Sequence, residues 1–386
     1  MGSSSFQRMV QLPRASFFLL GVRGVGKSTW ANAALPAAHR IDLLEERRHH
    51  DYLSDPGLFA AELAALEPGS WVIVDEVQRL PSLLNEVHRF SESRRLKFAL
   101  LGSSARKLRA AGTNLLAGRA QRKLMFPLTV AEMGADFDTA KTLRHGSVPL
   151  ILAAEDRDAA LEAYVQLYLR EEIRAEALVR NLPGFVRFLP IAALFHGQAI
   201  SVAGIARDAG VARMTVAGDL EILEDTLLVY RLPGYEAKLR VRERKHPKLY
   251  WTDPGLVRAV KRQLGPLTAE ETGPLFEGLV LHLLRAHAEE QKLYDELTYW
   301  APAQAMRTEV DFLLRRQREF LAIEVKASRR FDTSMISGLR AIAELPGMVR
   351  RILVYDGDRV LRVDEDIEVW PIRRFSEALA LGKLWP

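Results

Sequence analysis

Short apolar runs alternate with helical patterns along the first third of the chain. Runs that are apolar on both faces and separated by helices are typical of strands in a buried parallel sheet. We predict such strands at residues 16–20, 40–43, 71–74 and 97–101. The N-terminal part of the chain is therefore predicted to be an α/β domain.

The remainder of the chain shows a different order of elements. Residues 156–179 have a helical pattern, with apolar residues four positions apart. Residues 190–255 show short helices followed by a β-ribbon, and a long helix from residue 273 precedes several strands and a further helix. Pro-Gly and Gly-Pro pairs mark the boundaries. These patterns predict domains at residues 1–140, 141–190, 191–264 and 265–386.

The composition is that of a globular protein without cysteine. Of the 386 residues, 48% are hydrophobic and 27% are charged, which argues against wholesale disorder. The absence of Cys excludes disulfides, cysteine nucleophiles, Cys-ligated zinc and Cys-held iron–sulfur clusters. No apolar run approaches the roughly 20 residues that span a bilayer, and the N-terminus lacks a signal-peptide pattern. We expect a cytoplasmic protein that makes no membrane contact.

The net charge is small and positive, with 54 Lys and Arg against 49 Asp and Glu, or +5. Of the basic residues, 12 are Lys and 42 are Arg. Arginine suits phosphate recognition, because its guanidinium group pairs bidentately with phosphate oxygens. A GC-rich genome also raises the Arg content, so the total alone does not identify a partner.

Residues 21–28 have the sequence of a phosphate-binding loop, G-x4-G-K-S. A triphosphate needs several backbone N–H donors nearby, and Gly allows the backbone to curl that tightly. A predicted strand leads into the loop, and a helix that begins at residue 29 would face the phosphates with its N-terminus. Lys27 would reach the β- and γ-phosphates, and Ser28 would ligate Mg²⁺. The predicted ATP-binding residues are Gly21, Gly24, Gly26, Lys27, Ser28 and Thr29.

Two carboxylates follow the strand predicted at residues 71–74. Asp75 and Glu76 would lie at the carboxyl end of a parallel strand, where ligands bind in such sheets. Asp75 would hold Mg²⁺ through its water shell, and Glu76 would polarise the attacking water. The alternative is a solvated strand end.

Two further residues are candidate catalytic groups. Ser103, preferred over Ser104, follows the strand at residues 97–101 and would bind the γ-phosphate or the lytic water. Arg119 is a candidate finger that stabilises the charge of the transition state. A plain turn and a surface ion pair are the respective alternatives.

The stretch from about residue 16 to residue 135 resembles the AAA+ ATPases. It is most similar to bacterial and archaeal predicted ATPases in which an AAA module is fused to a characteristic C-terminal region. The matching segments are residues 21–28, IVDEVQ at 73–78, LGSS at 101–104, LAGR at 116–119 and FPLT at 126–129. The resemblance implies ATP hydrolysis, with ATP and Mg²⁺ as cofactors. It also implies that Arg119 acts on the nucleotide of a neighbouring subunit in a homo-oligomeric ring, for which a hexamer is expected.

Residues 200–223 have the layout of a helix-turn-helix. The first helix is predicted at residues 200–209 and the second at 212–223, with Gly210 in the turn. Strands predicted at residues 227–232 and 248–251 would complete a winged unit. Arg213 would lie near the exposed start of the second helix.

The segment between the two predicted strands is strongly basic. Four of its basic residues occur at every second position, which places them on one face of a strand: Lys238, Arg240, Arg242 and Arg244. Residues 238–248 hold six basic residues and one Glu, a net charge of +5 that equals that of the whole chain. Such a patch suits a phosphate backbone, whereas a solvated loop on a protein-binding module is the alternative. The predicted DNA contacts are Arg213, Lys238, Arg240, Arg242, Arg244 and Lys248.

A β-hairpin with clustered carboxylates is predicted near the C-terminus. If residues 317–318 form a two-residue turn, cross-strand partners have numbers that sum to 635. Asp311 then lies opposite Glu324, and Glu309 lies opposite Lys326. Opposed carboxylates repel unless a cation or a proton lies between them. A hard divalent metal ion on oxygen ligands is one solution, and Lys326 would then orient a nucleophilic water.

The spacing of this hairpin resembles the PD-(D/E)XK nuclease superfamily, and Glu277 on the long helix matches the additional Glu of that pattern. The nuclease-site residues that the resemblance implies are Glu277, Asp311, Glu324 and Lys326. Three alternatives stay open: a structural salt-bridge cluster, a fold that grips DNA without cleaving it, and Mg²⁺-dependent cleavage.

Together these features predict an α/β chain with a P-loop AAA+ parallel-sheet domain, then a winged helix-turn-helix, then a restriction-endonuclease-like α/β domain. The predicted function is an ATP-driven motor that binds and remodels or translocates DNA, with forked or four-way-junction DNA as candidate substrates and Mg²⁺-dependent cleavage as a candidate further activity. The alternative is a nucleotide-switched signalling or defence ATPase that binds a protein partner through its winged helix and whose C-terminal domain is not catalytic.

Overall fold

The computed structural model describes residues 6–104, 120–169, 182–235, 246–302, 308–364 and 366–386. The chain divides into two compact units. Residues 8–126 and 222–228 form the first unit, and residues 127–221 and 229–386 form most of the second unit. The boundaries between the four predicted domains stay predictions.

A parallel sheet forms the centre of the first unit. Its strands are β1 (Phe17–Leu20), β2 (His39–Asp42), β3 (Trp71–Asp75), β4 (Lys97–Gly102) and β5 (Gln121–Leu124). They are arranged in the order β2-β3-β4-β1-β5, and every neighbouring pair is parallel. The four predicted strands are confirmed, with each end within one residue of the prediction.

Helices connect these strands, because a parallel pair needs a crossover between its members. They are α1 (Lys27–Ala34), α2 (Glu46–Ser54), α3 (Pro56–Ala64) and α4 (Leu84–Ser93). The consecutive residues Val72, Ile73 and Val74 of β3 are all buried, as expected for a strand that is covered on both faces. The unbroken apolar run was therefore a reliable signal for this sheet.

The second unit contains most of the remaining helices. These are α5 (Val130–Met133), α6 (Thr139–His145), α7 (Pro149–Leu152), α8 (Arg157–Ala163), α9 (Leu182–Leu194), α10 (Val202–Ala209), α11 (Arg213–Asp225), α12 (Pro254–Lys261), α13 (Ala269–Gln291), α14 (Ser337–Ala341) and α15 (Ile372–Ala380). The C-terminal end of α11 belongs to the first unit. The helix predicted at residues 156–179 corresponds to α8 and a π-helical turn at Tyr164–Leu169, and residues 170–181 lie outside the described part of the chain.

Two sheets complete the second unit. The smaller has the order β6-β8-β7 and is antiparallel, with β6 (Gln198–Ala199), β7 (Val229–Leu232) and β8 (Lys248–Trp251). The larger has the order β13-β14-β12-β11-β10-β9. Its strands are β9 (Glu296–Trp300), β10 (Val310–Arg316), β11 (Glu319–Lys326), β12 (Met348–Tyr355), β13 (Leu361–Val363) and β14 (Ile367–Pro371).

The predicted register of the C-terminal hairpin is confirmed. Phe312 of β10 pairs with Ile323 of β11, and Arg316 pairs with Glu319, so both pairs sum to 635. Gln317 in the turn has a positive φ of 56°, as tight hairpin turns require. Because side chains alternate between faces along a strand, this register decides which polar residues share a face.

No helix of the described residues is long and apolar enough to span a membrane. The longest, α13, covers 23 residues but has acidic residues in its first turn and buried histidines farther along. A capping box closes its first turn. The side chain of Thr268 accepts from the backbone N–H of Glu271, and the side chain of Glu271 accepts from the backbone N–H of Thr268.

Asp253 fixes the start of α12 within the second unit. It is fully buried, and its carboxylate accepts hydrogen bonds from the backbone N–H groups of Ser147 (2.7 Å) and Leu256 (3.0 Å). Burial raises the pKa of Asp253 to about 6, although these hydrogen bonds oppose the rise. A Cβ on Gly146 would lie 1.9 Å from Oδ1 of Asp253, so Gly is required beside this carboxylate.

We expect Asp253→Ala to lower the free energy of unfolding by about 3 kcal/mol, because two buried N–H groups would lose their acceptor. Urea unfolding at pH 7.5 would measure this loss. Asp156→Ala is the matched control, since Asp156 also caps a helix, accepting from Ala159 N at 3.0 Å, but is exposed. The control should lose about 1 kcal/mol or less, and equal losses would contradict the special role of the buried cap.

Candidate nucleotide site and carboxylate cluster

The predicted phosphate loop joins β1 to α1 and curls at its glycines. Gly24 and Gly26 have positive φ angles of 81° and 90°. A Cβ on Gly21 would lie 2.3 Å from the carbonyl oxygen of Met125, so only Gly fits at this position. The loop therefore has a glycine-dependent conformation of the kind that turns backbone N–H groups toward a phosphate.

Lys27 lies in the first turn of α1 and folds back onto the loop. Its Nζ donates hydrogen bonds to the carbonyl oxygens of Gly21 (2.7 Å) and Val22 (3.3 Å), and the residue is only 6% exposed. An ammonium group binds a phosphate oxygen more strongly than a neutral carbonyl oxygen. The lysine is thus held beside the loop by partners that a phosphate can replace.

Asp75 and Ser28 meet although they come from different elements. Asp75 is the last residue of β3, Ser28 lies in the first turn of α1, and their side chains are hydrogen-bonded. Burial raises the pKa of Asp75, while the hydrogen bond from Ser28 and the charge of Lys27 oppose the rise. A hydroxyl and a carboxylate are oxygen ligands of the type that Mg²⁺ prefers, so the pair fits the predicted metal role. Thr29, the next residue, is exposed.

Glu76 and Ser103 are joined by a glutamine. The side-chain Nε2 of Gln78 donates to Oε2 of Glu76 and, at 3.0 Å, to Oγ of Ser103. Glu76 has a left-handed backbone (φ 54°, ψ 42°), which is rare for a residue other than Gly and is often found at functional sites. A Cβ on Gly102 would lie 2.6 Å from Oε1 of Gln78, so the small residue makes room for the glutamine.

The sheet order explains why these residues meet. Strand β4, which leads to Ser103, lies between β1 and β3. Parallel neighbours end at the same edge, about 5 Å apart. The phosphate loop, Asp75, Glu76 and Ser103 therefore lie at one edge of the sheet, as the sequence predicted.

Arg8 fastens the loop from outside the motif. Its guanidinium group donates to the carbonyl oxygen of Val25 at 2.6 Å and to that of Phe126 at 2.5 Å. Val25 belongs to the phosphate loop, and Phe126 follows β5. A planar guanidinium group can hold two carbonyls at fixed positions, so Arg8 ties the loop to the chain beyond the last strand of the sheet.

The helix-turn-helix elements are present where they were predicted. Helix α10 ends at Gly210, which has a positive φ of 63°, and α11 begins at Arg213. Ile205 on α10 and Val216 on α11 are fully buried, whereas Arg213 is exposed. Strands β7 and β8 pair as predicted. The assignment of these elements to a winged helix-turn-helix stays a prediction.

The prediction that Lys248 contacts DNA is wrong. Lys248 begins β8 and is only 3% exposed. Its Nζ donates to carboxylates of Glu277 (3.0 Å), Glu309 (3.2 Å) and Asp311 (3.4 Å). The sequence placed Lys248 with the basic segment before it, but the strand turns its side chain inward. The other predicted contacts in that segment, Lys238, Arg240, Arg242 and Arg244, lie outside the described residues.

The acidic residues around Lys248 come from three elements. Glu277 lies on α13, and Glu324 lies on β11. Glu309 immediately precedes β10, and Asp311 is the second residue of that strand. We call Glu277, Glu309, Asp311 and Glu324 the carboxylate cluster. The structure brings together all the residues of the predicted nuclease site. The charge of Asp311 acts on both Glu277 and Glu324, and Lys326 donates to Glu324 at 2.5 Å.

The ionisation of the carboxylate cluster is shifted by its burial. Burial raises the pKa of Glu277 to about 7, and the charge of Asp311 adds to the rise. Burial also raises the pKa of Glu324 well above its usual range. For Lys248, burial lowers the pKa, but Glu277, Tyr250, Asp311 and Glu309 outweigh it and hold the pKa above its ordinary value. The ammonium form of Lys248 is therefore the stable one.

Comparison with known proteins assigns the region that contains the nucleotide site. Residues 13–134 match the family described as AAA domain. The N-terminal region is an AAA domain. The predicted resemblance to AAA+ ATPases is thereby confirmed for this region. Residues 137–267 match the domain of unknown function DUF8612, and residues 272–375 match the domain of unknown function DUF4143.

Relatives that match most of the chain, and solved structures, are similar to it at low sequence identity. Uncharacterized proteins of Mycobacterium bovis and Mycobacterium tuberculosis are each 27% identical over 370 residues, which cover 93% of this chain and 81% of theirs. The Aeropyrum pernix ORC2 protein in its ADP form is 13% identical, with a TM-score of 0.33 over 65% of this chain and 87% of that one. The Aeropyrum pernix ORC1 protein in complex with DNA is 16% identical, with a TM-score of 0.29 over 65% and 86%.

The first unit contains two groups near the phosphate loop that the sequence did not predict, Gln78 and Arg8. Gln78 lies two residues after Glu76, inside the segment 73–78 that resembles the AAA+ ATPases, so the sequence could have indicated a role for it. Arg8 precedes every motif, and nothing in the sequence indicates its contact with the loop. In the second unit, Lys248 and Tyr250 alternate on β8, which places both on one face. Tyr250 donates its hydroxyl to Glu277 and so joins the cluster.

We expect Arg8→Ala to raise the Kd of the protein for ATP by three- to tenfold, because the loop would lose the donor that ties its Val25 carbonyl to the carbonyl of Phe126. Titration with a fluorescent ATP analogue measures this. Arg8→Lys should not restore affinity, since one ammonium group cannot reproduce the planar fork. Arg14→Ala, at an exposed arginine, is the control. Equal affinities of the Arg8 and Arg14 variants would contradict the positioning role.

Proposed function

We propose that the AAA domain hydrolyses ATP and that the protein couples hydrolysis to the binding and remodelling or translocation of DNA. One observation carries the first part. The phosphate loop, the Ser28–Asp75 pair and the chain Glu76–Gln78–Ser103 converge at a single edge of the parallel sheet. These are the donor, metal-ligand and base positions that phosphoryl transfer to water requires.

Each residue has a distinct role in this proposal. Lys27 exchanges its two carbonyl partners for phosphate oxygens when ATP binds. Ser28 and Asp75 would hold Mg²⁺, which neutralises charge on the phosphates when bound. Glu76 accepts a hydrogen bond from the attacking water and orients it, and Gln78 fixes the carboxylate relative to Ser103. Ser103 then lies where it can bind the γ-phosphate.

Arg119 completes the proposed site from another subunit. It lies outside the described residues. Its role as a finger in a homo-oligomeric ring, with a hexamer as the expected size, is a proposal that rests on the family resemblance. The remaining catalytic roles do not depend on it.

We expect Glu76→Gln to lower the kcat for ATP hydrolysis by about 10² to 10³, because the amide no longer draws the proton of the attacking water. The Kd for ATP should stay within twofold of wild type, since Glu76 is not a phosphate ligand. Steady-state phosphate release and a binding titration measure the two quantities. Glu67→Gln, at an exposed glutamate in the same unit, is the matched control. Full turnover in Glu76→Gln would overturn the assignment of the base.

The DNA part of the proposal is supported by the helix-turn-helix elements and the basic segment that follows them. Arg213 is exposed at the start of α11, the helix that enters a groove in proteins of this type. The residues between β7 and β8 hold alternating basic side chains. Forked and four-way-junction DNA are the proposed substrates.

A protein partner is the alternative. Met214, next to Arg213 on α11, is 83% exposed. An exposed apolar side chain at the start of this helix is a feature of protein-binding surfaces. Under this alternative the chain is a nucleotide-switched signalling or defence ATPase, and DNA leaves its turnover unchanged.

We expect forked and four-way-junction DNA to stimulate ATP hydrolysis several-fold at low salt, with the stimulation lost at high salt as phosphate contacts are screened. Joint replacement of Arg240, Arg242 and Arg244 by Ala should reduce the dependence of log Kd on log salt by roughly three ion equivalents. Turnover that is indifferent to every DNA tested would favour the protein-binding alternative.

Metal-dependent cleavage in the second unit is not included in the proposal. The residues of the predicted nuclease site are together, but an ammonium group lies between three of the carboxylates. The arrangement therefore does not fit a bound Mg²⁺.

A further inference from the structure

We propose that Lys248 is the resident cation of the carboxylate cluster and that its ammonium group excludes a divalent metal ion from it. The carboxylate cluster and Lys248 lie in the second unit alone, so their interaction does not depend on ATP hydrolysis. Residues that match a metal-dependent pattern are thus arranged around a lysine from outside that pattern.

The geometry of Lys248 satisfies its charge completely. An ammonium group has three N–H donors. Nζ lies 3.0 Å from Glu277, 3.2 Å from Glu309 and 3.4 Å from Asp311. Three donors thus meet three carboxylates. The ring of Tyr299 lies 5.4 Å from Nζ and adds a further favourable contact for a cation.

A metal ion would need the same oxygens that Lys248 uses. Divalent Mg²⁺ or Mn²⁺ binds carboxylate oxygens at roughly 2.0–2.2 Å. The Nζ atom already lies among these oxygens, and a second cation would be repelled by it at close range. Lys248 and a metal ion are therefore alternative occupants.

The lysine also comes from a different sheet than its partner Asp311. Lys248 is on β8, which pairs with β6 and β7, whereas Asp311 is on β10 of the larger sheet. All four residues of β8 are buried. Removal of the ammonium group from the cluster would require either a rotamer change into packed surroundings or movement of the strand.

A metal ion would find one ready ligand in the cluster once the ammonium group of Lys248 is removed. Oε2 of Glu324 is buried and has no hydrogen-bond partner among the described residues. A Cβ on Gly338 would lie 3.3 Å from this oxygen, so the neighbouring backbone is close. A buried carboxylate oxygen without a partner is a costly arrangement, and a cation would relieve it.

Lys248→Met tests the proposal, because methionine keeps a long apolar stem and removes the charge. We expect this variant to bind one additional Mn²⁺ per chain, at least tenfold more tightly than wild type, in the absence of nucleotide. The free-ion signal in electron paramagnetic resonance reports the binding. Adding Asp311→Asn to Lys248→Met should abolish the additional site, and Lys383→Met, at an exposed lysine, should behave as wild type.

Two outcomes would overturn the proposal. The first is a Lys248→Met chain that is folded by circular dichroism and gains no Mn²⁺ site that depends on Asp311. The second concerns the wild-type chain, so it can be measured even if Lys248→Met does not fold. If the nucleotide-free wild type binds an Mn²⁺ ion that Asp311→Asn removes, the cluster accepts metal with Lys248 in place. Equal Mn²⁺ binding by wild type and Asp311→Asn supports the proposal.

Discussion

A buried ammonium group among oxygen atoms is the interaction on which both sites depend. In the AAA domain, Lys27 donates to two neutral carbonyls. In the second unit, Lys248 donates to three carboxylates. Little free energy is lost when a phosphate replaces the carbonyl partners of a lysine. In contrast, removal of one partner from a buried ion pair costs about 3–5 kcal/mol. The first lysine is therefore free to exchange partners, and the second is held in place.

The sequence predicted the elements whose signal is local. The apolar run of β3 indicated a strand of the parallel sheet, because a strand buried on both faces needs such a run. The turn at Gln317 fixed the pairing of β10 with β11, because side chains alternate between faces with a period of two and leave few alternative registers. The nucleotide site followed, since parallel strands end at one edge. Arg8 and Lys248 were not predicted correctly, because each acts on residues far away in the chain. The basic residues next to Lys248 in the sequence suggested that it is exposed, whereas strand β8 buries its side chain.

The two sites also differ in how the backbone contributes. The phosphate loop depends on glycines at positive φ and on the close approach of Met125 to Gly21, so its specificity lies mostly in main-chain atoms. The carboxylate cluster depends on side chains from α13, β8, β10 and β11, together with Glu309 just before β10. Local sequence motifs identify the first type well. The second type becomes visible only when the register and the facing strand are both known.

The division of the chain into units has a consequence for modularity. Residues 222–228 belong to the first unit although the second unit contains the residues on either side of them, and Leu227 packs against the core of the AAA domain. A fragment that stops at residue 126 would lack residues 222–228, which pack with the first unit. The first unit is therefore not built from one continuous segment of the chain, and an exchange of this unit between relatives would have to carry residues 222–228 with it.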